Sequence, residues 1–186
     1  MSVYYPYGSS CIPSGNLPDY ACDTCLTREF GRVRSFAFYK DSSPFTDITS
    51  STEWSTKINA RNAIVLWKVK GKYDGMETEE LEGYGDSEFD NGSSSHTLVF
   101  EDPNAIDNID FYNELKDTSI YRGVFRTSSK IWDTGTVVNV KVKLIVPDSI
   151  KGVVTAEVTV KWASPDIPLP YTTPTSIFNQ CYVVAA

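Results

Sequence analysis

The 186-residue chain has one histidine, two methionines and four cysteines, and its 17 Lys and Arg are outnumbered by 24 Asp and Glu. Each scarcity removes a class of function. A single imidazole cannot build a histidine-rich metal site. A net charge of -7 and an isoelectric point near 4.7 do not fit a basic-faced nucleic-acid binder, so no specific nucleic-acid binding is expected. Apolar runs are short. Ala63 to Trp67 is closed by Lys68, far below the roughly 20 residues of a spanning helix, and no membrane span is expected. No base precedes Arg28 and the opening MSVYYPYGSS lacks a leucine-rich core, so neither a secretory signal nor a transit peptide is expected. Four cysteines are too sparse to staple a miniprotein.

What is present reads as one β-rich domain over residues 1–186, an antiparallel sandwich or barrel with a few helical turns. Pro6, Gly8, Pro13, Gly15 and Pro18 make residues 1–25 an extended arm. In Gly31 to Lys40, Val33, Ser35, Ala37 and Tyr39 alternate with Arg32, Arg34, Phe36 and Phe38, a strand of period two. Ser50 stands three residues before Glu53, the capping-box spacing, and predicts a short helix over about 51–60. Ala63 to Lys70 and His96 to Glu101 read as strands, and the polar stretch 71–95 between them as a long acidic loop. Asp102-Pro103, followed by Ile106, Ile109, Tyr112 and Leu115, predicts a helix over about 103–116 with those four residues packed on a sheet.

The last third is strand after strand: Ile120 to Thr127, Thr136 to Val146, Gly152 to Trp162 and Ile177 to Val184, with turns at Asp133 to Gly135 and Pro147 to Gly152. Val140, Val142 and Leu144 alternate with Lys141 and Lys143, and Val154, Ala156, Val158 and Val160 repeat the pattern, which predicts an antiparallel hairpin. Pro165, Pro168, Pro170 and Pro174 make residues 164–176 a second extended arm rather than a strand.

Three constellations could carry chemistry. Cys22-Asp23-Thr24-Cys25 is a C-x2-C knuckle that Cys11 and Cys181 could complete into a tetrahedral zinc site. Free thiols and a disulfide stay open beside it, so the expected cofactor is none or a structural zinc. Glu77, Glu79, Glu80, Glu82, Asp86, Glu88 and Asp90 form an acidic run with no base among them. It starts like a calcium loop, but Asn91 stands where glycine is needed and Thr97 where glutamate is needed, so no metal duty is expected. His96, beside Ser93, Ser94 and Ser95, has no constrained nucleophile turn near it and reads as a satisfied or exposed histidine. Trp54, Trp67, Trp132 and Trp162 lie in apolar-patterned segments and read as core rather than as a sugar platform.

Cys22-x-x-Cys25 leading into Gly31-Arg32-Val33-Arg34-Ser35-Phe36-Ala37-Phe38, the later Glu82-Gly83-Tyr84-Gly85, and VVTAEVTVKW from Val153 to Trp162 resemble virion proteins of crAss-like Bacteroides phages. The resemblance is diffuse and runs through most of the chain. It implies a non-enzymatic structural subunit, a tail hub, ring or neck component, assembled in the bacterial cytoplasm. The implied partners are copies of itself and other tail, neck or portal proteins. Tyr4, Tyr5 and Tyr7 of the first arm, with Ile167, Leu169 and Tyr171 of the second, are the expected interface residues. The alternatives are a carbohydrate- or receptor-binding sandwich, which needs tryptophans exposed in a row, and a cell-wall hydrolase, which needs paired carboxylates fixed on strands.

Metal analysis of protein purified without chelator separates the cysteine readings. The zinc site requires about one equivalent per chain, and less than about half an equivalent leaves thiols.

Overall fold

A computed structural model describes residues 29, 31–82, 89–116 and 120–181. Within them the chain runs β1 (Ser35–Lys40), α1 (Ser51–Asn59), β2 (Ala63–Leu66), β3 (Lys70–Glu82), β4 (Phe89–Asp102), α2 (Ile109–Leu115), β5 (Tyr121–Arg126), β6 (Lys130–Val137), β7 (Asn139–Ile145), β8 (Thr155–Ala163) and β9 (Pro170–Thr172). The fold is mainly β, as expected. Two antiparallel sheets, ordered β2-β1-β5-β6-β9 and β3-β4-β8-β7, pack as a sandwich.

The alternation in β1 places Phe36 and Phe38 on one face and Ala37 and Tyr39 on the other, and all four are buried. Phe36 and Phe38 fill the space between the sheets, where Phe36 stacks on Phe100 of β4 with ring centroids 5.0 Å apart. Val158 and Val160 of β8 and Val140 of β7 complete that core, and Tyr112 and Leu115 of α2 cover its side. On the other face, Ala37, Tyr39, Val124 and Ile131 meet Trp54 and Ile58 of α1 together with Ile48, Ile177 and Phe178. The five-stranded sheet is therefore the middle of three layers. Each large side chain fully buried in it contributes about 1.5–3 kcal/mol.

The α1 helix forms where its cap predicts. Ser50 Oγ accepts from Glu53 N at 3.3 Å, and Trp54 and Ile58, one turn apart, face the sheet. The Glu53 carboxylate does not return to Ser50; it accepts from Thr46 N and Asp47 N, both at 2.9 Å, and ties down the loop before the helix. Trp54 Nε1 donates to Ile48 O at 2.8 Å.

The β7–β8 hairpin has the expected pairing, from Asn139 opposite Lys161 to Ile145 opposite Thr155. Five other expectations are corrected. Residues 71–95 are not a loop: β3 and β4 pair from Lys70 opposite Glu101 to Glu82 opposite Phe89, as one long hairpin. Its distal part leaves the sheet, because β4 pairs with β8 only between Ser95 and Asp102. Among its described side chains Glu77, Thr78 and Glu79 are all exposed, so the apolar alternation that marks a strand is missing there.

The helix expected over 103–116 is shorter. Asp102 closes β4, its carboxylate accepting from Asn104 N at 2.9 Å and from Tyr112 Oη at 2.5 Å; a single 3-10 turn, Ile106–Asn108, then precedes α2. Burial, more than the Asp102 hydrogen bond and charge, holds the Tyr112 phenol well above its usual range, so it stays a donor. Tyr112 and Leu115 are buried as expected, whereas Ile106 and Ile109 are exposed.

Asp133 to Gly135 is no turn but lies inside β6, at a register shift where Gly135 takes a φ of +67°. Residues 164–176 are not all free arm: Pro170–Thr172 form β9 against Lys130–Trp132 of β6. Ile177 and Phe178, expected in a strand, are buried in a turn, where Phe178 O accepts from Ser35 Oγ at 3.1 Å. Those two residues are apolar because they plug the layer between α1 and the five-stranded sheet; residues 182–184 of the expected strand lie outside the described residues.

Gly123 of β5 makes the aromatic core possible, since a Cβ there would stand 2.7 Å from the Phe36 ring. Phe36 is held by Phe100 and Phe38 and has nowhere to move. Gly123→Ala should lower stability by about 1–3 kcal/mol, measured by denaturant unfolding; an unchanged midpoint refutes the close packing of Phe36.

Candidate functional site

The residues singled out in the sequence do not converge on one site within the described region. Cys11, Cys22 and Cys25 lie outside the described residues, as do Tyr4, Tyr5 and Tyr7, and Cys181 is exposed. Ile167 and Leu169 are each 65% exposed on the segment between β8 and β9. Tyr171, on β9, is at the border of exposure and lines a cavity of about 220 Å³ with Tyr39, Arg122 and Asp133.

Glu77 and Glu79 are exposed on β3, and Glu80, Glu82 and Asp90 fall within the backbone of the β3–β4 hairpin. Asp86 and Glu88 lie outside the described residues. Among the described residues no three His, Cys, Asp or Glu side chains are grouped to hold a metal ion.

His96 is the satisfied histidine of the two readings. It is fully buried in β4, its Nδ1 2.6 Å from Tyr73 Oη and its Nε2 3.0 Å from Ser164 O. The geometry assigns the proton to Nε2, which donates to the carbonyl, while Nδ1 accepts from the tyrosine. The ring stacks on Trp162 at 4.9 Å with a 4° interplanar angle. Both nitrogens are engaged in joining β3 and β4 to the chain after β8, which leaves none for catalysis. Trp54 and Trp162 are buried, and Trp67 and Trp132 are half-buried, so the exposed tryptophan row of a sugar platform is not formed.

Sequence reading missed the polar cluster on the cavity beside β9. Tyr39 from β1 donates to Asp133 of β6, 3.0 Å and 3.2 Å from its two carboxylate oxygens, and Arg122 Nε of β5 donates to Asp41 Oδ1 at 2.5 Å. Neighbouring positions in three strands bring these groups together, and their separations along the chain give no local motif. Burial raises the Asp133 carboxyl above its ordinary range, and the hydrogen bonds from Gly135 N and Tyr39 and the Arg122 charge offset this only in part. Burial also holds the Tyr39 phenol well above its usual range, followed by the charge and hydrogen bond of Asp133. A phenol so held is a donor and not a base, and the guanidinium is already matched by Asp41. The cluster clamps three strands and presents no free nucleophile.

Two apolar hollows flank α2. One of about 410 Å³ is lined by Phe38, Ile58, Ile64, Val65, Phe111 and Leu115, with Arg61 and Glu114 among its polar residues. The other, of about 220 Å³, lies between α2 and β7, where Ile109, Tyr112 and Lys116 face Val142 and Leu144. No protein-family model, no curated protein and no solved structure matches the chain.

A carboxyl whose folded pKa is raised favours folding below its unfolded pKa, and that contribution is lost as pH rises through the raised value. Removing the Tyr39 donor raises the Asp133 pKa further. Tyr39→Phe should therefore lower stability by about 1 kcal/mol near neutral pH and by less at an acid pH low enough to protonate Asp133. Urea unfolding at the two pH values tests this, and an equal loss at both refutes the coupling.

Proposed function

We propose that the chain is a non-enzymatic structural subunit that works as one copy of itself in a closed ring. The setting is the virion tail or neck implied by its resemblance to crAss-like phage proteins, with other tail, neck or portal proteins as neighbours. The observation that carries this reading is aliphatic surface left in water, of which two groups matter most. Ile167 and Leu169 project from the segment before β9, and Ile106, Ile109, Leu144, Val146, Ile150 and Val153 are exposed on α2 and around the β7–β8 hairpin. Scattered exposed aliphatics are ordinary, but Ile109 and Leu144 line one groove, and grouped apolar surface is what a partner covers.

The polar groups support the same reading. Tyr39 is paired with Asp133, Arg122 with Asp41, Tyr112 with Asp102 and His96 with Tyr73, so each bonds a neighbour rather than a cavity. Because β9 is fixed to its own β6, the second arm offers Ile167 and Leu169 as a docking ledge more than as an exchanged strand. Tyr4, Tyr5 and Tyr7 of a neighbouring copy are the side chains that reach it. Such a contact joins two different surfaces and closes a ring when its rotation divides a full turn.

Deleting residues 1–18 should leave a folded β domain that no longer assembles, read as mass by light scattering with circular dichroism as the folding control. Particles of full-length size from the truncated chain would falsify joining by the arm.

A further inference from the structure

Among the described residues the four-stranded sheet ends in β3 on one side and β7 on the other, and the distal half of β3 is acidic whereas β7 carries lysines. We propose that β7 of one copy pairs with the acidic half of β3 in the next, so that the sheet runs on from subunit to subunit. This rests on the ring reading and names a contact that the arms do not supply.

The first support is parity. Neighbouring strands in β3-β4-β8-β7 are all antiparallel, so the two edges of the four-stranded sheet run in opposite directions. A copy set beside the first in the same orientation therefore presents β3 antiparallel to β7, the pairing that continues the ladder.

The second is the ribbon. Glu77 is paired with Ser95, the last β4 residue that also pairs with β8, so Glu77–Glu82 and their β4 partners extend past the four-stranded part as two strands only. Two strands alone are marginal in water, and a third alongside stabilises them. Val33 already bridges the outer edge of β3 at Gly71, with backbone bonds of 2.9 Å and 3.0 Å, so a docking strand must lie farther along, on the acidic half.

The third is charge. In β7, Lys141 and Lys143 are exposed, and in β3, Glu77 and Glu79 are exposed, with Glu80 and Glu82 following in sequence. Pairing β7 with β7 sets lysines against lysines, and β3 with β3 sets glutamates against glutamates; only the unlike pair avoids repulsion. Alignment of β7 with the start of β3 is rejected too, since Lys70 and Lys72 stand there. The charges thus select both the partner edge and the stagger, and a closed ring accommodates stagger by tilting its strands, as barrels do.

The experiment uses the full chain and light scattering, with circular dichroism as the folding control. Lys141→Glu with Lys143→Glu, and separately Glu77→Lys with Glu79→Lys, should each reduce the wild-type assembly to monomer with an unchanged spectrum. All four substitutions in one chain should restore it. Wild-type mass retained by either pair overturns the β7–β3 contact and leaves the ring reading standing. Dissociation without rescue in the fourfold variant overturns it as well. A wild-type chain that is itself monomeric overturns the ring reading and this contact together.

Discussion

Burial of β1 on both faces is the constraint on which the rest of the molecule depends. A strand in an ordinary two-layer sandwich has one wet face, but Phe36 and Phe38 of β1 meet the second sheet while Ala37 and Tyr39 meet α1 and the C-terminal plug. Every other layer is positioned by that strand. Gly123 has no side chain because the Phe36 ring occupies its space, α1 lies where Trp54 can cover the outer face, and Ile177 with Phe178 closes what α1 leaves open. The cost of a polar hydroxyl in such a strand is met locally, with Ser35 donating to Phe178 O and Tyr39 donating to Asp133.

The second sheet is less constrained, and the proposed assembly rests on that difference. Its inner face is committed to the core through Leu98, Phe100, Val158 and Val160, whereas among the described residues its outer edges pair with no further strand beyond the Val33–Gly71 bridge. Natural edges are kept from indiscriminate pairing by charge and bulges. Here β3 carries two register shifts and a run of glutamates while β7 carries lysines. Edges that repel their own kind and attract each other suit a subunit that joins head to tail. The exposed apolar residues of α2 and β7 share one hollow beside the β7 edge, which in the proposed assembly a neighbour would cover.

Legibility in the sequence followed burial. The β7–β8 hairpin was readable because one of its faces is core, so valines and lysines alternate; α1 was readable because a serine cap and two apolar residues a turn apart suffice to mark a short helix. The β3–β4 ribbon was not, since Glu77, Thr78 and Glu79 are all exposed and the polar run offers no alternation to detect. In α2, the spacing of Ile106, Ile109, Tyr112 and Leu115 is helical, yet the helix is short and crosses the side of the sandwich, so only its later half meets the core. The Asp133-Thr134-Gly135 sequence has turn chemistry, and the fold uses it for a bulge inside β6 because β5 pairs on either side of it, at Asp133 and at Val137, and keeps the chain in the sheet.

By itself the sequence determined the class: a mainly β chain, acidic, with one capped helix, aromatic strands and one confident hairpin. Those features depend on neighbours in the chain, where propensity, period and capping act. Tertiary structure alone decided that Glu77 and Glu79 are exposed on a strand, that His96 is a buried link and that the proline-rich segment supplies an edge strand. It also brought Tyr39, Arg122 and Asp133 together from three strands. The physical reason is that a hydrogen bond or a pair of charges depends on distance in space, and a sheet brings residues into register across about ninety positions of sequence with no trace in the residues between them.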